Sequence, residues 1–489
     1  MSANRHIDAG SQMTRPMRAL LFVFVFALGF TNPLQARGAA IAPTHIPPSG
    51  VIGVEDAYLS PEFWIARLRH ADRVVMRTAG IDAQNAKMMR IDTSMHALSA
   101  LPPSLNSEQV AGWIERLSHR PEAQLFDIAG LPIKAATLDK IIANRNLAAI
   151  PASQGTRYGL VVHRASLRSF PTDLRVFDSV GDSDIDRFQE TALFPGTQVV
   201  LAHVSRDGEW WFVLSPRYAA WVRKQAIAEG TKTAVFGYVD KTPFRIVTGA
   251  KVRTAFTPEA PRVSDLQLDM GVRAPLASLP ADQPVNGQHP YSSWTIELPV
   301  RNDDGTLAIT PALLPKSADS AAGSLPLTRA NIIRQAFKFL GERYGWGHDY
   351  DGRDCSGFVS DVYQSMGVLL PRNTGDQAAS PALNRLHFNQ ADGRNERLAA
   401  MGALRVGDLI YVPGHVLLMI GRIGKVPYVI HDIHDGKYVD AAGQLQSMHL
   451  NAVSVTPLPP LRFDARQSLI DRITDIIRID RSTGSGVLP

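Results

Sequence analysis

The chain contains one cysteine, Cys355, among 489 residues, so no disulfide can form within it. Its domains must therefore be held together by hydrophobic packing and not by covalent cross-links. Apolar residues make up 45% of the chain, which is ordinary for a globular protein. Composition leaves three roles open for the thiol: a buried apolar side chain, a reactive group, or one half of an intermolecular disulfide.

The first forty residues have the pattern of a signal peptide. Residues 19–30 (ALLFVFVFALGF) follow Arg15 and Arg18, and this apolar run is too short for a comfortable transmembrane helix. Small residues between positions 36 and 40 predict cleavage there, and an uncleaved anchor is the alternative. No cysteine lies in this region of the sequence, which excludes a lipoprotein. We therefore expect a periplasmic or secreted protein with no integral membrane domain after cleavage.

Beyond the predicted signal peptide the chain is almost neutral. Of the 51 Lys and Arg and 46 Asp and Glu residues, four Arg and one Asp lie within residues 1–40. The remaining 47 basic and 45 acidic residues give a net charge of about +2. This balance predicts neither a nucleic-acid-binding surface nor a membrane-binding one.

Hydrophobic periodicity divides the chain into segments with helical patterns and segments with strand-like patterns. Residues 55–118 repeat apolar side chains at helical spacing, with Ser60 and Asn106 as candidate N-caps. Residues 155–230 and 231–310 alternate β-branched and aromatic side chains between Gly, Asp and Pro turns. Each of these two stretches fits a small β-barrel.

Two Pro-rich, polar tracts at 275–290 and 311–327 are typical of linkers. After the second, residues 328–341 (TRANIIRQAFKFLG) predict a helix that Thr328 caps and Gly341 ends. A new domain therefore begins at about residue 325.

The residues around Cys355 predict a reactive thiol. Apolar side chains recur at helical spacing over residues 358–366 and Gly367 ends the run, which places Cys355 in the first turn of a buried helix. The helix dipole there favours the thiolate. Small side chains at Ser356 and Gly357 leave the approach to the sulfur open.

Two histidines further along the chain can complete a site with this thiol. His415 opens the strand-like run HVLLMI and His431 closes the next one, VPYVIHD, so antiparallel pairing would bring them together. The chemistry needs a thiolate to attack a carbonyl, one imidazole to carry the proton, and a polar group to orient that imidazole. A metal site of His415, His431 and His434 is a less favoured alternative, because no His-Glu-x-x-His spacing occurs in the sequence. We expect His348, His434 and His449 at the surface or in turns.

At these residues the chain resembles the NlpC family of bacterial cell-wall cysteine peptidases, which have a compact papain-like fold. The resemblance covers about residues 325–456. It rests on five motifs in the family's order: Tyr-Gly-Trp-Gly from Tyr344, Asp-Cys-Ser-Gly from Asp354, Leu-Pro-Arg from Leu370, Gly-Asp-Leu from Gly407 and Gly-His-Val from Gly414. The upstream order is similar to a multi-domain branch of that family, with a helical segment and two SH3-like barrels.

The resemblance implies an α+β protein in which a papain-like catalytic domain follows a helical segment and two small SH3-like β-barrels. We expect the following organisation: 1–40 signal peptide, 41–150 helical N-terminal stabilising domain, 151–230 first barrel, 231–315 second barrel, 325–456 cysteine peptidase domain and 457–489 C-terminal tail.

The resemblance also implies a role for each matching residue. Cys355 would be the nucleophile, His415 the general base and His431 the polar residue that orients it. Four residues would contact the substrate: Tyr344 beside the thiol, Tyr218 of the first barrel, and Asn373 and Thr374 after Leu-Pro-Arg. Neither a cofactor nor a metal is implied.

The family cleaves the γ-D-glutamyl–diamino acid bond of peptidoglycan stem peptides, here with meso-diaminopimelate as the expected diamino acid. Its multi-barrel branch admits peptides with a free N-terminal L-alanine, so peptidoglycan-derived peptides and a role in wall turnover or recycling are implied. The chain departs from that branch at Asn373, where those members have a carboxylate, because an amide carries no charge to pair with an ammonium group. Tyr218 or an acidic neighbour is the expected substitute.

Two other functions stay open on the sequence. One is an amidase or acyl transferase on the same thiol fold. The other is a non-catalytic wall-binding protein whose barrels bind peptidoglycan and whose peptidase domain is a relic. The intact set of Cys355, His415 and His431 argues against a relic, which would more often have lost one member.

Overall fold

The structure, a computed structural model, describes residues 45–47, 50–440 and 442–479. The predicted signal peptide, residues 1–40, lies outside the described residues. The described residues belong to one compact unit by their contacts. Over the described residues, no helix combines the length and the apolar character that a membrane-spanning helix requires.

The N-terminal segment packs against two different parts of the protein, and so differs from the single stabilising domain expected over residues 41–150. Trp64 and Met88 belong to the core that also contains Phe358 of the peptidase region. Ile114 instead packs with Trp221 of the first barrel. The segment's short elements bury their apolar faces on larger neighbours: α1 Pro61–Ile65, β1 Val74–Met76, α2 Thr78–Ile91, β2 Ser104–Asn106, α3 Ser107–Leu117, α4 Ala135–Asn144 and β3 Ser153–Gly155.

The first barrel is a seven-stranded antiparallel sheet with the strand order β10-β4-β7-β8-β9-β5-β6. Its inward side chains, among them Trp210, Phe212 and Trp221, fill a core against α3. Gly208 turns the hairpin between β7 and β8 at a positive φ of 79°, where glycine is favoured. The strands are β4 Arg157–Val161, β5 Ala165–Arg168, β6 Gln189–Leu193, β7 Gln198–Val204, β8 Trp210–Leu214, β9 Ala219–Arg223 and β10 Ile227–Gly230.

The next unit is built from three small sheets around one apolar core. The tract 311–327, expected as a linker, instead supplies the end of β16 and all of β17; proline is tolerated there because β16 pairs along one edge only. That this unit is an SH3-like barrel stays a prediction. Its elements are α5 Lys232–Asp240, β11 Phe244–Val247, β12 Lys251–Arg253, β13 Gln267–Asp269, β14 Arg273–Pro275, β15 Ser293–Arg301, β16 Leu307–Pro315 and β17 Ser320–Ala322.

The C-terminal unit packs helices against a six-stranded antiparallel sheet with the order β19-β24-β20-β21-β22-β23. The central helix α7 lies against β21 and β22 and contributes Phe358 and Val362 to the core. The elements are β18 Leu327–Thr328, α6 Arg329–Phe337, α7 Cys355–Gln364, α8 Thr374–Ala379, β19 Asn384–His387, α9 Arg394–Gly402, β20 Leu409–Val412, β21 His415–Ile423, β22 Val426–Val439, β23 Leu445–Pro457 and β24 Asp475–Arg478.

Two expectations about this sheet are corrected. The segment expected as a C-terminal tail supplies β24, which lies between β19 and β20 in the sheet and buries Ile477 completely. His431 does not close its strand, since β22 continues to Val439. Beyond Asp432 the extension is mostly half-buried or exposed, and its polar residues are typical of a turn in the sequence.

Candidate active site

Cys355 is the first residue of α7, as the sequence predicts. Asp354 caps the helix, because its Oδ1 accepts a hydrogen bond of 2.8 Å from the backbone N–H of Gly357. Only 5% of Cys355 is exposed, so the sulfur lies at the bottom of the site.

Three groups surround the sulfur. Its Sγ lies 3.6 Å from Thr374 Oγ1 and 4.0 Å from the carbonyl oxygen of Gly414, and the backbone N–H of Val416 donates to it. Since Gly414 and Val416 flank His415, the thiol lies against the backbone at the start of β21. The fold therefore brings Cys355, Thr374 and His415 to one place.

The thiol is protonated in this closed arrangement. Burial and the negative charge of Asp354 raise the pKa of Cys355 to about 12, although the hydrogen bonds from Thr374 and Val416 act in the opposite direction. The sequence-based expectation of a favoured thiolate is therefore wrong for the resting site, because burial outweighs the helix dipole. The proton must leave as the sulfur attacks, which requires a neutral base nearby.

A chain of hydrogen bonds runs from His415 into the sheet. Nε2 of His415 lies 2.8 Å from Nδ1 of His431, and Nε2 of His431 lies 2.9 Å from Oγ1 of Thr456. Burial lowers the pKa of His415 to about 4 and lowers that of His431 well below its usual value. Both imidazoles are therefore neutral at pH 7, and Nδ1 of His415 is the nitrogen left to accept a proton.

Asp432 follows His431 and is fully buried. Within the described part of the chain, neither of its carboxyl oxygens has a hydrogen-bond partner. Burial, with the charges of Asp354 and Glu342, raises its pKa well above the usual value. Burial therefore disfavours a negative charge on this carboxyl group beside the thiol.

Arg372, from the Leu-Pro-Arg motif, holds the loop before α7 in place. Its guanidinium pairs with Asp354 at 2.7 Å and donates to Thr191 of the first barrel. Burial opposes ionisation of Asp354, but the charge of Arg372 and its hydrogen bonds keep the pKa of Asp354 below its usual value. The same guanidinium lies 3.0 Å from Nδ1 of His348, which lies in a turn as expected but is buried.

The first barrel forms one wall of the site. The side-chain amide of Gln189, at the start of β6, donates to the carbonyl of Gly347 at 2.8 Å. The backbone carbonyl of Gln189 accepts a 3.0 Å hydrogen bond from the indole N–H of Trp346. The phenol of Tyr218 in the barrel donates a hydrogen bond to Glu190. Burial raises the pKa of Glu190, against the opposing effects of this hydrogen bond and of the charge of Arg372. The acidic neighbour expected near Tyr218 is therefore Glu190.

Asn373 and Thr374 lie at the start of α8. Thr374 touches the thiol, whereas Asn373 is exposed and donates at 2.9 Å to Asp376. Asp376 lies near enough to Tyr218 for its charge to help raise the pKa of that phenol, after burial and the charge of Glu190. A second carboxylate thus accompanies the amide at position 373.

Tyr344 forms the opposite wall. It is 7% exposed, and its ring meets the ring of His434 edge-on at 6.1 Å. Tyr344 and His415 line a cavity of about 270 Å³ together with Asp435, Lys437 and Arg462. This cavity therefore offers both signs of charge beside His415.

Comparison with known families agrees with this geometry. Residues 341–455 match the NlpC/P60 family, and residues 175–223 match the SH3 domain of the SH3b1 type. Residues 341–455 are an NlpC/P60 domain. This cysteine peptidase domain contains Cys355, His415 and His431, and the match to the first barrel confirms the predicted SH3-like domain.

Similar proteins have the same domain. The chain is 28% identical over 225 residues to a γ-D-glutamyl-L-lysine dipeptidyl-peptidase of Bacillus cereus, a match that covers 42% of this chain and 58% of that protein. It is 30% identical over 134 residues to the peptidoglycan endopeptidase RipB of Mycobacterium tuberculosis, over 23% of this chain and 49% of the relative. The chain thus spans less than two thirds of the length of these relatives.

An NlpC/P60 endopeptidase from Photobacterium damselae subsp. piscicida has a similar structure, with a TM-score of 0.68 at 18% identity. The likeness covers 85% of this chain and 96% of that one, so the two share a fold well beyond the NlpC/P60 domain.

Sequence reasoning missed several residues of the site. Thr456 and Asp376 have no motif of their own, and Glu190 contacts Tyr218 across 28 positions of sequence. Arg372 belongs to the Leu-Pro-Arg motif, but the motif does not reveal its partner. Its pairing with Asp354, the N-cap of α7, forms only in the folded chain. The roles of Cys355, His415, His431 and Tyr344 stay predictions.

Proposed function

We propose that the protein is a cysteine peptidase that hydrolyses the γ-D-glutamyl–diamino acid bond of peptidoglycan stem peptides. The observation that carries the proposal is the hydrogen-bonded pair of His415 and His431, at 2.8 Å, beside the buried thiol of Cys355. A neutral imidazole with one free nitrogen next to a thiol is what nucleophilic acyl transfer requires. The activities named for the Bacillus and Mycobacterium relatives support the substrate class.

The reaction uses groups already in place. As Sγ of Cys355 bonds to the γ-carbonyl carbon of the D-glutamyl residue, its proton moves to Nδ1 of His415 and the carbonyl oxygen becomes negative. The imidazolium then gives that proton to the departing amine as the carbon–nitrogen bond breaks. Water, deprotonated by His415, cleaves the thioester and restores the thiol. His431 keeps Nε2 of His415 engaged throughout.

We propose that the peptide enters with a free amine on the barrel side. Glu190 and Asp376 are the two acidic side chains near Tyr218, and Asp376 supplies the negative charge that Asn373 lacks. An ammonium group between them would gain charge-assisted hydrogen bonds. The diaminopimelate side would occupy the cavity beside Tyr344, where Lys437 and Arg462 suit a carboxylate and Asp435 an amine.

The test compares the tripeptide L-Ala-γ-D-Glu-meso-diaminopimelate with its N-acetylated form, with products read by mass spectrometry. We expect the wild-type chain to release diaminopimelate from the free-amine form and Cys355→Ala to release none. We expect Asp376→Asn to raise KM for the free-amine peptide at least about tenfold, since a hydrogen bond between charged groups contributes about 1.5–3 kcal/mol. Asp392→Asn on an exposed loop is the matched control. Equal cleavage of both peptides would overturn the amine requirement, and cleavage by Cys355→Ala would overturn the mechanism.

A further inference from the structure

A group of histidines and carboxylates lies where the first barrel meets the peptidase sheet. Asp184 comes from the barrel segment between β5 and β6. His434 and Asp435 lie on β22, and His449 lies opposite Asp435 on β23. Of these side chains, the proposed function uses only Asp435, as a partner for the diaminopimelate amine. Because the residues come from three separate segments, the sequence shows no metal-binding spacing among them.

Three of these side chains have the chemistry and the separation of a metal-ligand set. Asp184, His434 and His449 each offer one ligand atom, and these atoms all lie within 4.8 Å of one another. Nε2 of His434 lies 3.1 Å from Oδ2 of Asp184. Two ligand atoms about 2.1 Å from a tetrahedral zinc ion are roughly 3.4 Å apart, so this pair is already at a coordinating separation. His449 is exposed, with 63% of its side chain accessible, and can turn to close the remaining gap.

Asp435 orients both imidazoles. Its Oδ2 lies 2.6 Å from Nδ1 of His434, and its Oδ1 lies 2.9 Å from Nδ1 of His449. Each Nδ1–H therefore donates to the carboxylate, so a cation would bind at Nε2 of His434, where it would replace the present contact with Asp184, and at Nε2 of His449. Metal-bound histidines in proteins regularly have this carboxylate partner on the second ring nitrogen.

The surroundings of Asp184 also suit a cation. Its Oδ1 pairs with Arg343, whose side chain is half exposed, so Oδ2 faces the histidines. Asn451 lies 3.2 Å from that Oδ2 through its amide nitrogen. Among the described residues, the amide oxygen of Asn451 is a buried acceptor without a hydrogen-bond partner. Rotation of this amide would turn its oxygen toward the space beside Oδ2 of Asp184, where it could be a further ligand.

We propose that Asp184, His434 and His449 bind a divalent transition-metal ion of the zinc class, which fastens the first barrel to the peptidase sheet. Imidazole nitrogens with one carboxylate are suited to zinc, copper and nickel, and not to calcium or magnesium. The site borders the cleft, because His434 packs edge-on against Tyr344 at 6.1 Å and both residues line the same cavity. A bound ion would therefore fix the position of the cleft wall as well as that of the barrel.

The test uses the full chain carrying Cys355→Ala, so that the thiol cannot bind the metal and catalysis plays no part in the readout. After treatment with a chelator, Zn²⁺ is titrated by calorimetry and Co²⁺ by its visible ligand-field bands. We expect one ion per chain, tetrahedral Co²⁺ bands and a higher unfolding temperature with Zn²⁺. Adding His449→Ala should weaken Zn²⁺ binding at least about tenfold, since loss of even an outer-shell partner costs 10–100-fold.

The matched control is His387→Ala. His387 is 44% exposed and contacts Asp475 at 2.8 Å, so it resembles His449 but lies at the other end of the sheet. Its substitution should leave Zn²⁺ affinity unchanged. Asp184→Asn, a near-isosteric change, provides a second variant in case one histidine variant folds poorly. Failure to bind Zn²⁺, or equal affinity in the His449→Ala and His387→Ala chains, would overturn the proposal.

Discussion

Nε2 of His415 lies 2.8 Å from Nδ1 of His431, so the two imidazoles share one hydrogen bond and must adopt complementary tautomers. Nδ1 of His415 can act as a base only when the hydrogen of this imidazole is on Nε2. His431 must then accept at Nδ1 and donate from Nε2, and the group that receives that hydrogen is the hydroxyl of Thr456, 2.9 Å away. By accepting this hydrogen, Thr456 supports, through His431, the tautomer in which His415 can accept the thiol proton.

We therefore expect Thr456→Val to lower kcat about tenfold with little change in KM, since one buried hydrogen bond contributes about 0.5–1.5 kcal/mol. Steady-state kinetics on the free-amine tripeptide provide the measurement. Thr254→Val is the control, because Thr254 is equally buried and its hydroxyl donates at 2.6 Å to Val263 far from the site. A similar fall in kcat in both variants would mean that Thr456 acts on stability and not on the imidazole.

The sequence predicted the local parts of this site well and the contacts between distant segments poorly. Cys355 at a helix start and His415 at a strand start follow from periodicity and caps, which act over a few residues. Thr456 lies 25 positions after His431, and only the register of β22 with β23 brings the two together. The strand β24 was missed for the same reason, because Ile476 and Ile477 are a short apolar run whose partners are residues 384–387 and 409–411.

A second prediction concerns acid stability. Burial lowers the pKa of His415 to about 4 and that of His431 well below 6.5. Between pH 6.5 and 4 the unfolded chain binds protons at these histidines and the folded chain does not, so the free energy of unfolding falls as the pH falls through this window. For His415 alone, the full shift corresponds to roughly 3 kcal/mol.

Urea unfolding at pH 7, 6 and 5 measures this dependence. We expect His415→Gln to lose less stability between pH 7 and pH 5 than the wild-type chain does, because one of the two buried imidazoles is gone. His289→Gln, at an exposed turn, should retain the wild-type dependence. If His415→Gln and wild type lose the same free energy, the imidazole is not held neutral by burial.

A third prediction follows from the close packing of the first turn of α7. A Cβ atom at Gly357 would lie 2.4 Å from Cε1 of His348, which is buried between Thr191 and Arg372. We expect Gly357→Ala to cost about 1–3 kcal/mol of stability by overpacking and to lower kcat, since Cys355 is in the same turn. Denaturation and kinetics on one preparation separate the two effects.

Gly375→Ala is the matched control for that change. Gly375 lies in α8, and no atom of the described chain comes within 4 Å of the Cβ that alanine would add. Alanine favours a helix over glycine by up to about 1 kcal/mol, so this variant should be as stable as wild type or more so. A loss of stability in both variants would show that crowding against His348 is not the cause.

The last prediction concerns Arg353, two positions before Cys355. Arg353 is fully buried, and its guanidinium contacts Asp361 at 2.9 Å, Glu342 at 3.0 Å and Asp269 at 2.9 Å. Burial opposes its charge, yet the three carboxylates raise its pKa above the usual value. Asp269 belongs to β13. The guanidinium of Arg353 therefore links the unit that contains β13 to the loop just before Cys355.

Replacing Arg353 by methionine would leave the buried Asp361 without the guanidinium it pairs with, whereas Asp269 keeps Arg164 and Glu342 keeps Lys251. We expect Arg353→Met to destabilise the chain by about 3–5 kcal/mol in urea unfolding, the usual cost of removing one partner of a buried ion pair. Arg334→Met, whose exposed side chain lies 3.5 Å from Asp72, should change stability by less than about 1 kcal/mol. Adding Asp361→Asn to Arg353→Met should recover part of the loss, because it removes one uncompensated charge. If the double variant is as unstable as the sum of the two single changes, the loss comes from packing and not from the charges.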